Sequence, residues 1–152
     1  MLVWLTMAGI LVIDRLIKIA VMAYLIPNET KVMIPQVFHL TLVFNPGAAF
    51  GLMAGWTWIF VVTAVLVLLG IIYAQFRLMI ENRFIRLAMG MIGGGALGNL
   101  LDRILTGKVI DYLDFRLWPF IFNFADSMIV IGTALLLICF FRQEQKTSGK
   151  ML

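Results

Sequence analysis

Residues 122–132 read FNFADSMIVIG, and the apolar run that starts there continues to Phe141. A run of about 20 apolar residues is the length of a helix that crosses the hydrocarbon core of a bilayer. Asn123 is a good N-cap, and Asp126 falls at the third helical position, where a carboxylate can answer the cap and suits the positive end of the helix dipole. Ordinary capping therefore explains Asp126. An acid at the mouth of a membrane helix is nevertheless costly, so a chemical role stands beside the capping one.

The rest of the chain agrees with a lipid setting. Of its 152 residues, 62% are hydrophobic and 13% are charged, an apolar excess that has to face something other than water. The formal net charge is +4, but the basic residues are scattered between apolar runs and form no stripe, which argues against nucleic acid as a partner. The single His39 and the single Cys139 allow no internal disulfide and no histidine or cysteine metal set. No metal and no cofactor are expected.

Four stretches are long enough to span: residues 2–26, 56–76, 84–104 and 123–141. No basic segment precedes the first and no small-x-small site follows it, so it is expected to stay in place. Trp4, Trp56, Trp58 and Trp118 lie near the span ends, at the level indoles prefer. Arg77, Arg83 and Arg86 in the second link and Arg142, Lys146 and Lys150 in the tail outweigh Lys31, Lys108 and Arg116, with Arg103 at a helix end. The positive-inside rule then puts both termini in the cytoplasm. Residues 27–55 lie outside, and within them FHLTLVF (38–44) alternates apolar and polar with β-branched residues, which predicts a strand in a small β-structure on the membrane surface. The fold expected is a mainly α membrane protein, one domain over 1–152.

Polar residues inside such spans each need a reason. Asp14 and Lys18 are spaced i, i+4 and can pair on one helix face. Gly90, Gly94 and Gly98 form a ladder that lets a second backbone approach closely. Asn99, Asp102 and Arg103 follow near the outer end, where Asp102 and Arg103 could form an interfacial pair. Asp111, in VIDYLDF (109–115), follows the third span and Asp126 opens the fourth, so the link between them can bring two carboxylates together. Two close carboxylates cannot both ionise cheaply, and a pair sharing one proton can serve as acid and base for attack of water on an amide. Asp114 rivals Asp111 for that place. The same residues also suit a proton relay in a small transporter, or a scaffold in which they only pack helices.

The blocks DRLIK (14–18), FNPGAAFG (44–51), GGGALGNLLDR (93–103), VIDYLDF (109–115) and FNFADSMIVIG (122–132), in that order, resemble the lipoprotein signal peptidase family, also called signal peptidase II. The resemblance covers nearly the whole chain. It implies an aspartic endopeptidase of the bacterial inner membrane, with four transmembrane helices and an extracytoplasmic β-cradle between the first two. Its substrate would be a prolipoprotein cut just before a cysteine that already carries diacylglycerol, and the cyclic peptide globomycin would inhibit it. Membrane lipid is the other implied partner, and a monomer is expected. Carried onto this sequence, the resemblance makes Asp111 and Asp126 the catalytic pair, with Asn123 and Ala125 shaping the site around the second acid. Asn99 and Arg103 would hold the substrate backbone or brace the pair, Asn45 and Gly47 would line the pocket under the cradle, and Asp14 and Lys18 would give support. Asp102 fits the pattern as a structural residue.

Overall fold

The computed structural model describes residues 1–47 and 56–148, with side chains described as far as residue 143. The elements run α1 (Leu2–Tyr24), β1 (Thr30–Ile34), β2 (Phe38–Asn45), α2 (Thr57–Arg77), α3 (Arg83–Thr106), β3 (Val109–Phe115), β4 (Ile121–Phe122) and α4 (Phe124–Ser148). Ala48 to Gly51 of the FNPGAAFG block, and residues 48–55 of the expected cradle, lie outside the described residues.

Helix α3 is the axis of the bundle. Of its most apolar window 61% is buried within the protein, against 6% for α2 and 17% for α4. Glycine makes that central position possible. A Cβ on Gly94 would lie 2.8 Å from Ile10 Cβ of α1, and one on Gly95 would lie 2.4 Å from the Ala125 carbonyl oxygen of α4. The neighbouring helices therefore pack on adjacent glycine faces at near-backbone distance, the way small residues bring membrane helices together. Asn82 caps the start of α3 by accepting from Phe84 N–H at 2.9 Å. Gly107 ends it in the left-handed region at φ 73°, the turn that favours glycine and releases the chain into β3.

Among the described residues three helices, α2, α3 and α4, are long and apolar enough to cross a membrane, and the chain is a multi-pass membrane protein. Helix α1 is as long but carries Asp14, Arg15 and Lys18 at mid-length. Asp14 and Lys18 are fully buried, while Leu5, Val12, Leu16 and Ile19 on its other side are exposed. Its charges point into the bundle.

The β-structure is larger than the sequence reading expects. It is a four-stranded antiparallel sheet in the order β1-β2-β3-β4, so half its strands come from beyond the third span. The VIDYLDF block is a strand, because it alternates β-formers as the earlier segment does. Strict alternation also fails in β2. Leu40 pairs with Leu113 but Val43 pairs with Asp111, so a bulge sets two residues against one. Thr41 and Leu42 are consequently both buried. Everything after the bulge changes face, and Asn45, which plain alternation would turn away, comes to the same side as Asp111.

Candidate active site

A cavity of about 690 Å³ opens where the sheet meets the end of α3 and the start of α4. Asn45, Gly47, Arg103, Asp111 and Asp126 all line it. Each arrives by a different route: Asn45 at the end of β2, Arg103 in the last turn of α3, Asp111 mid-β3 and Asp126 in the first turn of α4. Asp111 and Asp114 sit three apart on one strand and must face opposite ways. Asp114 turns to the other face, accepting from Thr41 Oγ1 at 2.8 Å and pairing with Arg116 at 3.7 Å. The strand's parity therefore decides between the two rivals in favour of Asp111 as the cavity-facing acid.

One residue touches both cavity carboxylates. Asn123 Nδ2 donates to Asp111 Oδ1 at 2.8 Å, and the Asn123 backbone N–H donates to Asp126 Oδ2 at 3.2 Å. Its Oδ1 in turn accepts from the Asp126 N–H at 2.8 Å, a reciprocal cap of the kind the Asn-x-x-Asp spacing predicts. Asn45 Nδ2 donates to Asp111 Oδ2 at 2.9 Å, and Asn99 Nδ2 donates to Asp126 Oδ1 at 2.7 Å. All four carboxylate oxygens thus accept an N–H. Asn45 is itself held by the Gly47 N–H, which donates to its Oδ1 at 3.0 Å.

Burial is the first cause that pushes the Asp111 carboxyl up to about 7, and the nearby Asp126 carboxylate is the second. The amides of Asn45 and Asn123 and the charge of Lys18 act the other way. A group so placed changes protonation near neutrality, where proton transfer is most useful. Tyr112, on the opposite face of β3, is pushed by burial up to about 12. It stays a neutral hydroxyl that accepts from the Phe124 N–H at 3.1 Å, satisfying an orphan donor at the start of α4.

The remaining expected residues fall into layers. Asn99 and Asn123 stand behind the acids, buried. Ala125, 0% exposed, is small so that α3 can approach: Gly95 meets its carbonyl and Gly98 its methyl. Arg103 lies with its guanidinium 4.8 Å over the Phe60 ring and reaches the carbonyls of Asn99 and Gly47 at 3.4 and 3.5 Å. Asp102 does not pair with Arg103. Its Oδ2 takes Lys18 Nζ at 2.6 Å and the Ile110 N–H at 3.2 Å, and its Oδ1 takes Arg15. Neighbours in a helix point about 100° apart, so the interfacial pair that adjacency suggests is not formed.

Sequence reasoning missed Arg15 and the aromatic wall of Phe60, Phe115, Trp118, Phe120 and Phe122. The density of aromatic residues between 115 and 122 was the available signal for the wall. Among the described residues no group of three or more His, Cys, Asp or Glu is placed to hold a metal ion.

The pattern of the family described as signal peptidase (SPase) II matches residues 6–142. The chain belongs to the signal peptidase II family. A lipoprotein signal peptidase of Desulfitobacterium hafniense (strain DSM 10664 / DCB-2) is 52% identical over 146 residues, covering 96% of this chain and 97% of that one. One from Halothermothrix orenii is 44% identical, with 94% and 97% covered. Two solved bacterial membrane enzyme structures, each 29% identical, superpose with TM-scores of 0.86 and 0.80. The first covers 93% of this chain and 88% of its own, the second 90% of each. As a member of the signal peptidase II family the chain is a protease, a hydrolase of the membrane.

Proposed function

We propose that this member of the signal peptidase II family removes signal peptides from prolipoproteins, cleaving the amide before a diacylglyceryl-modified cysteine, with Asp111 and Asp126 as an aspartic dyad. The observation that carries the reading is the pair of carboxylates in one cavity, both bonded to Asn123. Asp126, at a helix N-terminus and accepting two N–H groups, is the base that takes the proton of the attacking water. Asp111, which holds a proton up to about pH 7, donates to the scissile carbonyl. As the tetrahedral intermediate collapses and the C–N bond breaks, the proton on Asp126 passes to the leaving amine and Asp111 takes its proton back from the re-forming carbonyl. The two acids titrate as a coupled pair.

The surroundings suit such a substrate. Phe60, Val130 and Ile131 line the cavity from the helices and Phe115, Trp118, Phe120 and Phe122 line it from the sheet and its β3–β4 turn, so an acyl-bearing segment meets apolar surface while its amide meets the acids. In this reading α1 is a fourth span, the whole chain is one domain and a monomer, the sheet is an extracytoplasmic cradle, and both termini face the cytoplasm of a bacterial inner membrane. Globomycin would occupy the same cavity. The deciding experiment incubates the purified protein with a diacylglyceryl-modified prolipoprotein and with its unlipidated twin. Cleavage of the first alone, blocked by globomycin, is expected. Equal cleavage of both would remove the lipid from the specificity, and no cleavage of either would remove the function.

A further inference from the structure

Behind the dyad lies a cluster of four charges. Lys18 Nζ contacts Asp14 Oδ2 at 2.9 Å and Asp102 Oδ2 at 2.6 Å, and Arg15 joins Asp14 to Asp102 from the other side. Lys18 and Asp14 are fully buried and Asp102 is 1% exposed. The quartet is balanced, two cations to two anions, yet it is a poor stabilising device. Asp14 Oδ1 and Arg15 Nε are buried without a partner, and a buried polar group left unbonded works against the fold. Buried ion networks are in general weak contributors to stability compared with well-packed apolar side chains. Stability alone is a thin reason to keep one.

The third contact of Lys18 supplies a better reason. Its Nζ reaches Asn99 Oδ1 at 3.4 Å, the same oxygen that accepts from Asn123 Nδ2 at 3.1 Å. A lysine ammonium can only donate, so the amide of Asn99 must turn its oxygen toward Lys18. Its N–H then points the other way, at Asp126 Oδ1, 2.7 Å from Asn99 Nδ2. The Asn123 N–H holds that oxygen too; the ammonium adds a charged donor, so without it the amide is held less firmly in the orientation that gives its N–H to the carboxylate. We propose that Lys18, held by Asp14 and Asp102, is a positioning residue that fixes the polarity of the Asn99 amide and with it the N–H donated to Asp126. This inference rests on the dyad reading above.

Asp102 extends the same control to the other acid. Through the Ile110 N–H it fixes the start of β3 one residue before Asp111, so a single charged cluster braces the supports of both carboxylates. The charged groups facing the dyad are Asp14, Arg15 and Lys18 from α1 and Asp102 and Arg103 from α3. Among the first three, the charge of Lys18 favours ionisation of Asp111. Loss of that charge should therefore carry the pH profile of cleavage upward.

The test compares Lys18→Met, the charge-balanced pair Lys18→Met with Asp14→Asn, Asn99→Ala, and Lys18→Met combined with Asn99→Ala, all as full chains in detergent. Positioning predicts that Lys18→Met lowers kcat about 10-fold or more with KM changed by less than about 2-fold, and moves the profile to higher pH. It also predicts that the loss in the combined variant is no greater than in Asn99→Ala alone, because both act through one amide. If Lys18→Met fails to fold, the balanced pair is read against the balanced pair with Asn99→Ala in the same way. A variant that melts earlier but keeps the wild-type kcat and pH profile would overturn the proposal, and so would losses that multiply. Asp126→Asn in the same assay separates the two levels: turnover by that variant removes the dyad itself, whereas an inactive Asp126→Asn beside an unaltered Lys18→Met removes only the positioning role.

Discussion

Asp111 is 3% exposed yet lies within the field of a second carboxylate, so ionising it works against the fold. Its carboxyl is raised to about 7 in the folded protein from an ordinary value of 3.8. A group raised on folding stabilises fully below its unfolded value, and that contribution is lost as pH rises through the folded one. The wild type should therefore lose stability between about pH 4 and pH 7 relative to Asp111→Asn, by an amount on the order of a few kcal/mol, and run parallel to it above. Melting temperatures of the two proteins in detergent across that range measure the difference. A constant gap would mean that Asp111 does not titrate there. Activity should behave separately: Asp111→Asn and Asp126→Asn should each lower turnover by about 100-fold or more, and cleavage by the wild type should decline as Asp111 loses its proton above about pH 7. Asp111, Asp126, Asn99 and Asn123 were legible in the sequence as residue types in blocks. The wiring between them was not, because the direction of an amide is set by donors on another helix. Asp102 shows the same limit, since its partners Lys18 and Arg15 lie 84 and 87 positions away and it forms no ion pair with its neighbour Arg103.

Helices and strands deliver these side chains only if they come close enough. The contact between α3 and α4 is the tightest of the glycine approaches toward the site: a Cβ on Gly95 would meet the Ala125 carbonyl oxygen at 2.4 Å. That oxygen is backbone, one residue before Asp126, and cannot swing aside. Gly95→Ala should push α4 outward, lengthen the bond from Asn99 to Asp126, cost about 1–3 kcal/mol, and abolish cleavage. Gly70→Ala on α2, where nothing lies within 4 Å, should leave both unchanged. Thermal unfolding and turnover of the two variants check the contrast, and equal effects would mean that the site does not depend on that approach. Small-residue spacing made the glycine ladder readable from sequence, although the spacing could not say which glycine meets which helix. The sheet was less readable. Its second strand carried a period, but the bulge between Leu40 and Val43 leaves no mark on composition, and it is what turns Asn45 to the acids.

Across the whole molecule, apolar surface is distributed by side. The exteriors of the helices are apolar, as lipid requires, whereas the sheet adds apolar tips of its own. Val32, Met33 and Ile34 on β1 and Leu117 and Trp118 in the β3–β4 turn are all more than half exposed. The two ends are joined where the Arg116 N–H donates to the Val37 carbonyl at 3.0 Å. In the proposed topology these tips lie at the outer headgroup level and the α2–α3 link lies in the cytoplasm. The lone cysteine makes this testable. Cys139 is buried, so Cys139→Ser gives a background in which single cysteines can be placed. Leu117→Cys, at a position 89% exposed, should react in intact cells with a maleimide that cannot cross the inner membrane, once the outer barrier is opened. Met79→Cys, at a position 99% exposed, should react only after the inner membrane is breached. Labelling of both from one side would break the topology, because a single spanning helix, α3, connects the two positions. Reversed labelling would keep the four spans but place the cavity in the cytoplasm, out of reach of a cleavage site delivered at the outer surface.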